Sequence, residues 1–260
     1  MKTLLTLLIL ISSFWSQASS LVTDEIKVYT EHIPPFQIVD RNQTVTGGLA
    51  HVVVEELLER SEYQAKVIPL PWARAYKKTL NEPNTLLYSI ARSPQRESAF
   101  AWIGKISHVR YYFYGKPNKS DYVNLAAEDV RNLNVVVVRK SIEYDLLKQF
   151  GFIVDKNLFL ADSYPSAFKM VMLGRVDAIY SNQMTISGIT EYLNEVTPSL
   201  VPIYTLNQSL DLYIAANKDS DEALLNHLTN LLQQMTRDGT IEALLLEEKN
   251  RLFGPSQSQQ

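Results

Sequence analysis

Short β-rich runs alternate with helical patterns along most of this 260-residue chain. Ile26 to Thr30 is the first such run, and the segment from Leu49 to Arg60 that follows carries apolar residues at helical spacing. The fully apolar run from Val135 to Val138 is typical of a strand that is buried on both faces. This alternation predicts an α/β fold with mostly parallel sheets.

The runs and helices fall into two units of similar size, connected by extended passages near 107–111 and 204–208. Two α/β units joined by two such hinges predict a bilobal protein with a cleft between its lobes. We expect the following division of the chain: a signal peptide at 1–20, the first part of lobe 1 at 21–108, lobe 2 at 109–206, a return to lobe 1 with C-terminal helices at 207–255, and a flexible tail at 256–260.

Charge and residue usage exclude several classes of function. The 25 basic and 28 acidic residues give a net charge of −3, which provides no diffuse basic surface for nucleic acid. The absence of cysteine excludes disulfides, thiolate metal sites and a cysteine nucleophile. The four histidines and nine glycines form no zinc-protease, dinucleotide-binding or phosphate-loop motif. We therefore expect neither a cofactor nor a metal.

The N-terminus has the features of an export signal. Lys2 supplies a positive charge, residues 3–15 form an apolar stretch, and Ser16-Gln17-Ala18 places small residues where signal peptidase cleaves. The apolar stretch is shorter than the roughly 20 residues that a membrane-spanning helix needs. The sequence therefore predicts a secretory signal peptide, cleaved after Ala18 or Ser20, and a mature protein in the periplasm.

Four segments, in order, resemble the periplasmic solute-binding proteins of the polar amino-acid type, extracellular solute-binding protein family 3. These proteins are the receptor components of ABC importers, and the resemblance covers about residues 26–252. The segments are Pro34-Pro35-Phe36 with Gly47-Gly48, Ile90 to Glu97, Gly174 to Ile179, and Leu212 to Ala215 with Arg237 to Ile241. A fifth, from Pro71 to Tyr76, resembles a proteobacterial subgroup whose sequences contain PWARAY.

This resemblance implies a type II periplasmic-binding-protein-like fold, in which two lobes with parallel or mixed sheets are joined by two hinge strands. It also implies a monomeric receptor, without catalysis, that binds a small carboxylate-bearing solute such as an amino acid or a related organic acid. An ABC importer permease is the partner that such a receptor implies.

Arg96 is the candidate cation for a ligand carboxylate. Ser93 as an N-cap and Pro94 behind it predict a short helix start, which would place Arg96 near free backbone N–H groups. By resemblance, Arg96 matches the carboxylate-binding arginine of the family, with Ala91 and Ser93 at neighbouring ligand-contact positions. The alternative is a surface arginine that pairs with an acidic neighbour, Glu97 or Asp40.

Aromatic side chains follow the ends of the first two predicted strands. Phe36 and Trp72 are candidate walls of the pocket, because ligands in α/β sheets bind beyond the carboxyl ends of strands. Packing in the core is the alternative for each ring. Arg74 is either a second cation in the cleft or a solvated side chain.

In the second lobe, Ser141 begins a helix directly after a buried strand, and Arg139 and Lys140 add positive charge beside it. In the family, a carboxylate that binds the ligand ammonium commonly follows the strand after the G-x-x-D-A turn. Asn182 holds the aligned position here and is neutral, so the sequence leaves open whether an ammonium site exists. Asp177 is expected to be the structural acid of the turn. A cation-rich site of this kind would suit a ligand with net negative charge.

Two other functions remain open at this point. Because some relatives of such receptors are periplasmic dehydratases, the chain could be an enzyme of the cyclohexadienyl-dehydratase type. Glu31, His32 and Glu143 are the candidate acids or bases for that reaction. The same scaffold could also sense a ligand for a membrane signalling protein. The sequence does not identify the ligand or choose between transport and sensing.

Overall fold

The structure is a computed structural model that describes residues 25–117, 125–193 and 200–254. The predicted signal peptide at 1–20 and the predicted tail at 256–260 lie outside the described residues. Within the described ranges, no helix combines the length and the apolar character that crossing a bilayer requires.

Strands and helices alternate as the sequence predicts, and the strands form a nine-stranded mixed sheet with a separate two-stranded hairpin. In chain order the elements are β1 (Ile26–Thr30), β2 (Ile38–Val39), β3 (Val45–Gly47), α1 (His51–Ser61), β4 (Ala65–Pro69), α2 (Trp72–Asn81), β5 (Thr85–Ala91), a short 3-10 helix (Glu97–Ala99), β6 (Phe100–Gly115), α3 (Ala127–Val130), β7 (Val135–Val138), α4 (Ile142–Gln149), β8 (Leu158–Ala161), α5 (Tyr164–Met172), β9 (Ala178–Asn182), α6 (Gln183–Tyr192), β10 (Val201–Tyr204), β11 (Ser209–Asn217), α7 (Glu222–Arg237) and α8 (Thr240–Phe253).

Strand β6 passes through both halves of the sheet and changes partner along its length. Up to Arg110 it pairs antiparallel with β11, which in turn pairs with β5 in the parallel group β4-β1-β5. From Tyr111 onward it pairs antiparallel with β9 of the parallel group β8-β7-β9, and β10 also pairs with this part. We call the first half, with α1, α2, α7 and α8, lobe 1, and the second half, with α3 to α6, lobe 2.

The chain passes between the lobes twice, within β6 and in the segment between β10 and β11. The two passages lie side by side. The backbone N–H of Tyr111 donates to the carbonyl of Gln208 at 2.9 Å, and the Thr205 hydroxyl donates to the Tyr111 carbonyl at 3.4 Å. These residues fall within the predicted hinges. The lobe boundaries at 108/109 and 206/207 stay predictions.

Side-chain caps close to the helix in sequence begin α4 and α5 in lobe 2. The Ser141 hydroxyl accepts a hydrogen bond from the N–H of Tyr144 at the start of α4, and Ser163 caps α5 in the same way. The Asp177 carboxylate accepts the N–H of Asn134 at 2.9 Å, which is the structural role expected of the turn acid.

In lobe 1, α7 begins at an acidic cap. The carboxylate of Asp221, rather than the hydroxyl of Ser220, accepts the N–H of Leu224 and begins the helix. The Ser220 hydroxyl instead accepts the N–H of Asn84 at 3.0 Å. An N-cap needs a side-chain oxygen three residues before the N–H that it accepts, and Asp221 meets that spacing for Leu224.

The sheet carries the core of both lobes. Every residue of β7 is at most 1% exposed, so this strand is buried on both faces as its apolar run predicts. Around β6 the ring of Phe113 packs 4.7 Å from that of Tyr180. The carboxyl ends of β1 and β5 in lobe 1 and of β7 and β9 in lobe 2 bring their following residues to the surface where the lobes meet.

Candidate functional site

A small cavity lies between the lobes at the carboxyl ends of these strands. Its volume of about 20 Å³ has room for about one water molecule, so the lobes are packed closely around it. Both lobes line it. The lining residues are Glu31, Ile33, Trp72, Ser89, Ala91, Arg96 and Leu212 from lobe 1, and Tyr111, Ser141, Ile142, Glu143, Tyr164 and Asn182 from lobe 2.

The guanidinium of Arg96 is buried in this cavity, with 3% of the residue exposed. It lies over the rings of Tyr76 and Trp72, at 5.2 and 5.9 Å from their centroids. Its hydrogen bonds are long: 3.4 Å to the Ala91 carbonyl, and 3.3 Å both to the Lys140 carbonyl and to Asp145 Oδ2. Charge-assisted hydrogen bonds are typically about 2.7 to 2.9 Å, so this guanidinium can form stronger bonds than the ones it has.

The local structure around Arg96 differs from the prediction in one respect. Ser93 does not begin a helix: residues 93–96 form a turn in which the N–H of Arg96 donates to the Ser93 carbonyl, and a single 3-10 turn follows. No helix N-terminus therefore assists Arg96, because the chain turns back toward β6 too soon. The predicted alternative of a surface pair with Glu97 is also wrong, since Glu97 pairs with the partly exposed Arg92.

Trp72 is the first residue of α2, and its indole N–H donates to the carbonyl of Lys140 in lobe 2 at 2.9 Å. Arg96 donates to the same carbonyl. Lys140 has a backbone φ of 64°, a left-handed conformation at the end of β7 that is rare for a side chain of this kind. One lobe 2 carbonyl thus receives two donors from lobe 1.

The structure brings some of the predicted site residues together and separates others. Trp72, Ala91, Arg96, Ser141 and Asn182 line the cavity. Phe36, Ser93 and Arg74 are not in its lining.

Each of the three has another environment. Phe36 is 1% exposed within the hydrophobic core, which is the packing alternative. Ser93 is buried, and its hydroxyl has no hydrogen-bond partner among the described residues. Arg74 is exposed, which is the solvated alternative.

Two buried carboxyl groups face the cavity from opposite lobes. Glu31 directly follows β1 and is 6% exposed, and Glu143 lies in the first turn of α4 and is 1% exposed. Glu143 Oε1 accepts the Tyr164 hydroxyl at 2.9 Å, while its Oε2 has no partner in the part of the chain that the structure describes. The Glu31 carboxyl likewise makes no hydrogen bond to a described residue.

Burial shifts the pKa of both carboxyl groups upward. It raises the pKa of Glu31 well above its ordinary value, and the charge of Glu143 raises it further. Burial also raises the pKa of Glu143, against the lowering effect of its hydrogen bonds and of Arg96. The expectation of a cation-rich site is therefore wrong: the described lining holds one arginine and two glutamates.

The hydrogen-bonding groups of Asn182 are already in use. Its amide oxygen accepts the N–H of Thr185 at the start of α6, and its amide nitrogen donates to the Thr185 hydroxyl, both at 2.9 Å. This residue therefore caps a helix at the edge of the cavity.

Ser89 is a lining residue that the sequence analysis missed. It has a φ of 58° and lies at an irregularity in the pairing of β5 with β11, between Tyr88 and Ile90. Its hydroxyl donates to Gln37 Oε1 at 2.9 Å. Only the pairing of two strands far apart in sequence creates this bulge, so no local sequence signal could have indicated it.

A larger and more open chamber of about 350 Å³ lies outside the cavity, again between the lobes, and Glu31 borders both. His32 lines it: Nδ1 accepts the N–H of Val39 at 2.9 Å, and the ring lies 4.4 Å from that of Tyr192. Burial lowers the pKa of His32. The chamber leads from the surface to Glu31. Within the described ranges, no group of three or more His, Cys, Asp or Glu side chains is placed to hold a metal ion.

Comparison with known proteins gives a family match. A sequence profile described as bacterial extracellular solute-binding proteins, family 3, matches residues 26–248. A search of curated protein sequences found no significant match.

Three solved structures share the fold. A histidine kinase sensor domain with similarity to periplasmic binding proteins has a TM-score of 0.76 at 18% identity, covering 89% of this chain and 96% of its own. A mutant of ArgBP from T. maritima has a TM-score of 0.74 at 18% identity, with coverages of 89% and 96%. An ancestral amino-acid-binding protein, a precursor of cyclohexadienyl dehydratase, has a TM-score of 0.70 at 19% identity, with coverages of 88% and 95%. The bilobal fold predicted from the sequence is therefore confirmed.

Proposed function

Because this chain belongs to the bacterial extracellular solute-binding proteins of family 3, we propose that it is a receptor that binds a small carboxylate-bearing solute, an amino acid or a related organic acid, between its lobes. The observation that carries this proposal is the Arg96 guanidinium, which is 3% exposed and lines a cavity shared by both lobes.

Arg96 has the environment that carboxylate binding requires. Tyr76 and Trp72 hold the guanidinium from one side and exclude water, so that a bound carboxylate would form short, bidentate hydrogen bonds in a low dielectric. In the structure Asp145 Oδ2 is its anionic partner, at 3.3 Å, and the Asp145 side chain is 36% exposed. A ligand carboxylate would replace Asp145, which would return to water. Trp72, Ala91, Ser141 and Asn182 would form the remaining walls.

Binding would stabilise the closed arrangement, because the contacts with a solute come from both lobes. In the transport role, an ABC importer permease in the membrane would then recognise the closed receptor in the periplasm. The sensing role uses the same residues. Neighbouring genes for a permease and an ATPase favour transport, whereas a neighbouring signalling gene favours sensing.

The experiment is a thermal-shift screen of the mature protein with amino acids and small organic acids, repeated on Arg96→Ala and Arg92→Ala. Arg92 is the matched control, because it is a partly exposed arginine just before the same turn, paired with Glu97 and outside the cavity lining. We expect a binding solute to raise the melting temperature of the wild type and of Arg92→Ala, and to lose this effect in Arg96→Ala. An equal shift in Arg96→Ala, or no shift with any carboxylate in the screen, refutes the proposal.

A second candidate function is supported by the buried carboxyl of Glu143. Burial raises the pKa of Glu143, and a carboxyl group with a raised pKa beside an anchored substrate carboxylate is a suitable general acid for an elimination reaction. In that case the protein would be an enzyme that dehydrates a small cyclic acid. Incubation with prephenate separates the two functions: turnover that Glu143→Gln abolishes while binding persists supports catalysis, and binding without any product supports the receptor.

A further inference from the structure

We propose that Asp145 is a built-in competitor of the solute: its carboxylate pairs with Arg96 from the opposite lobe and has to leave before a solute carboxylate can bind there. This inference rests on the proposed receptor function and deepens it, because it identifies a residue that sets the affinity of the site. It predicts that a variant without this carboxylate binds its solute more tightly than the wild type does. Loss of a side chain that contacts the solute would have the opposite effect.

The Arg96–Asp145 pair joins the two lobes. Arg96 follows β5 in lobe 1, Asp145 lies in the first turn of α4 in lobe 2, and 3.3 Å separate Nη2 of the guanidinium from Oδ2 of the carboxylate. Of the ion pairs between described residues, this one alone crosses the cleft. Lobe 2 thus carries an anionic group of its own that reaches the guanidinium on which a solute carboxylate would bind.

The two acceptors from lobe 2 both occupy Nη2 of Arg96. This nitrogen donates to the Lys140 carbonyl and to Asp145 Oδ2, each at 3.3 Å, whereas Nη1 donates to the Ala91 carbonyl of lobe 1 at 3.4 Å. A carboxylate that forms two parallel hydrogen bonds with a guanidinium uses Nη2 in either orientation, paired with Nη1 when it approaches end-on and with Nε when it approaches from the side. A bidentate solute carboxylate and Asp145 therefore need the same N–H groups.

The space beside Arg96 also admits only one of the two carboxylates. The cavity has room for about one water molecule, which is less than a solute carboxylate needs. The lobes therefore have to separate before a solute enters, and their separation breaks the pair between Arg96 and Asp145. Solute binding and self-pairing are alternatives for the same guanidinium.

Asp145 is a weak competitor that a solute can displace. Its side chain is 36% exposed, and its distance of 3.3 Å to the guanidinium is longer than the roughly 2.7 to 2.9 Å of a strong charge-assisted hydrogen bond. A partly exposed pair of this kind shifts an equilibrium by a factor of roughly two to five. Because only molecules with a free Arg96 can bind the solute, the measured affinity falls in proportion to their fraction.

The first measurement follows Arg96 directly, in mature protein refolded from denaturant to remove any solute that copurifies. Phenylglyoxal modifies arginine side chains, and peptide mass spectrometry gives the rate of modification at Arg96 and, as an internal reference, at Arg92. The wild type is compared with Asp145→Asn and with the control Asp155→Asn, which makes the same change at an exposed aspartate of lobe 2. We expect Asp145→Asn to speed the modification of Arg96 roughly two- to fivefold, while Asp155→Asn leaves it unchanged and the rate at Arg92 stays the same in all three proteins.

The second measurement tests the competition itself. Acetate, the smallest carboxylate probe, and acetamide, its neutral control of similar shape, are titrated against the modification of Arg96, together with the amino acids and organic acids of the thermal-shift screen. We expect a carboxylate to protect Arg96 and acetamide not to protect it. The carboxylate concentration that halves the rate should be roughly two- to fivefold lower in Asp145→Asn than in the wild type and in Asp155→Asn. A merely structural role of Asp145 would leave this concentration unchanged or raise it.

The outcomes separate the competitor from the receptor function. If carboxylates protect Arg96 equally well in the wild type and in Asp145→Asn, or less well in the variant, the receptor proposal stands and the competitor is refuted. An unchanged rate of Arg96 modification in Asp145→Asn without solute also refutes the competitor, because the pair would then not cover the guanidinium. If no carboxylate protects Arg96 in any of the three proteins, both proposals fall together.

Discussion

At the scale of single residues, position rather than residue type sets the chemistry of the site. Glu143 and Asp145 lie two residues apart in the same helix, yet Glu143 is 1% exposed while the side chain of Asp145 is 36% exposed. Helical geometry turns the two side chains to different faces, one toward the cavity and one toward its rim. The carboxyl of Glu143 is therefore removed from water, whereas the carboxyl of Asp145 stays in contact with it.

The buried carboxyl of Glu143 should make stability depend on pH. Its pKa is raised in the folded protein, so above about pH 4.3, where an exposed glutamate ionises, the folded state holds more proton than the unfolded state does. The stability that this group contributes to the folded protein is fully present below that pH, and it is lost as the pH rises through the raised pKa. Each tenfold difference in proton affinity between the two states is worth about 1.4 kcal/mol.

We expect Glu143→Gln to remove this dependence. The variant keeps an oxygen for the Tyr164 hydroxyl and carries no charge to bury, so at neutral pH it should unfold at a higher temperature than the wild type. Thermal melts from pH 4.5 to 8 measure the difference, which should vanish at the acid end. Parallel melting curves for the two proteins over this range would contradict the assignment of a desolvated carboxyl.

At the scale of elements, α6 of lobe 2 packs against the turn that follows β1 in lobe 1. The contact is close because residue 188 is glycine: a Cβ there would lie 2.5 Å from the carbonyl carbon of Pro34. One helical turn later, Tyr192 packs on His32 of the same turn. Together these contacts form a second junction between the lobes, apart from the one at Lys140.

Gly188→Ala should open this junction. In an exposed helix this substitution would stabilise the fold by about 1 kcal/mol. Here the new methyl group would clash with the backbone of Pro34 and Pro35, which cannot rotate away as a side chain can. Overpacking of this kind lowers the free energy of unfolding by roughly 1 to 3 kcal/mol. We expect a larger radius of gyration by solution scattering and a lower melting temperature. Ser187→Ala, exposed on the same helix, is the control and should change neither. A more stable and equally compact Gly188→Ala would show that the junction does not hold the lobes together.

At the scale of the whole molecule, only two passages of chain connect the lobes within the described residues, and they lie side by side at Tyr111 and Gln208. Two adjacent strands allow a hinge rotation with little disturbance of either core. The contacts across the cleft at Lys140, Asp145 and Gly188 are side-chain hydrogen bonds, an ion pair and packing, which can separate without breaking a sheet.

We therefore expect the lobes to move relative to one another when solute binds. The native chain has no cysteine, so dyes can be attached specifically to Lys77→Cys on α2 and Gln149→Cys on α4, which are both exposed. Energy transfer between them should increase with any solute that gives a thermal shift, and Arg96→Ala should abolish the increase. A transfer efficiency that no such solute changes would contradict hinge closure.

The secondary structure could be predicted largely from local signals. Val135 to Val138 is a strand because its apolar run has no polar face, and Ser163 with Pro165 begins α5 because both suit the first turn of a helix. These signals act over a few residues. The family match over residues 26–248 also follows from the order of such local segments.

The site could be predicted only in part, and the reason is physical. Arg96 was identified from its family resemblance, but the helix N-terminus expected beside it does not exist, and Phe36 belongs to the core. Ser89 lines the cavity through a bulge that depends on the register of β5 with β11. Such features depend on chain segments more than a hundred residues apart.

The sequence by itself determined the family and the alternation of strands and helices, and it predicted Arg96 as the residue that binds a carboxylate, because each of these follows from short stretches of residues. Only the tertiary structure decided the charge of the cleft. The pairing of Glu31 with Glu143 arises when lobe 2 packs against lobe 1, and the desolvation that this packing imposes has no counterpart in any local pattern.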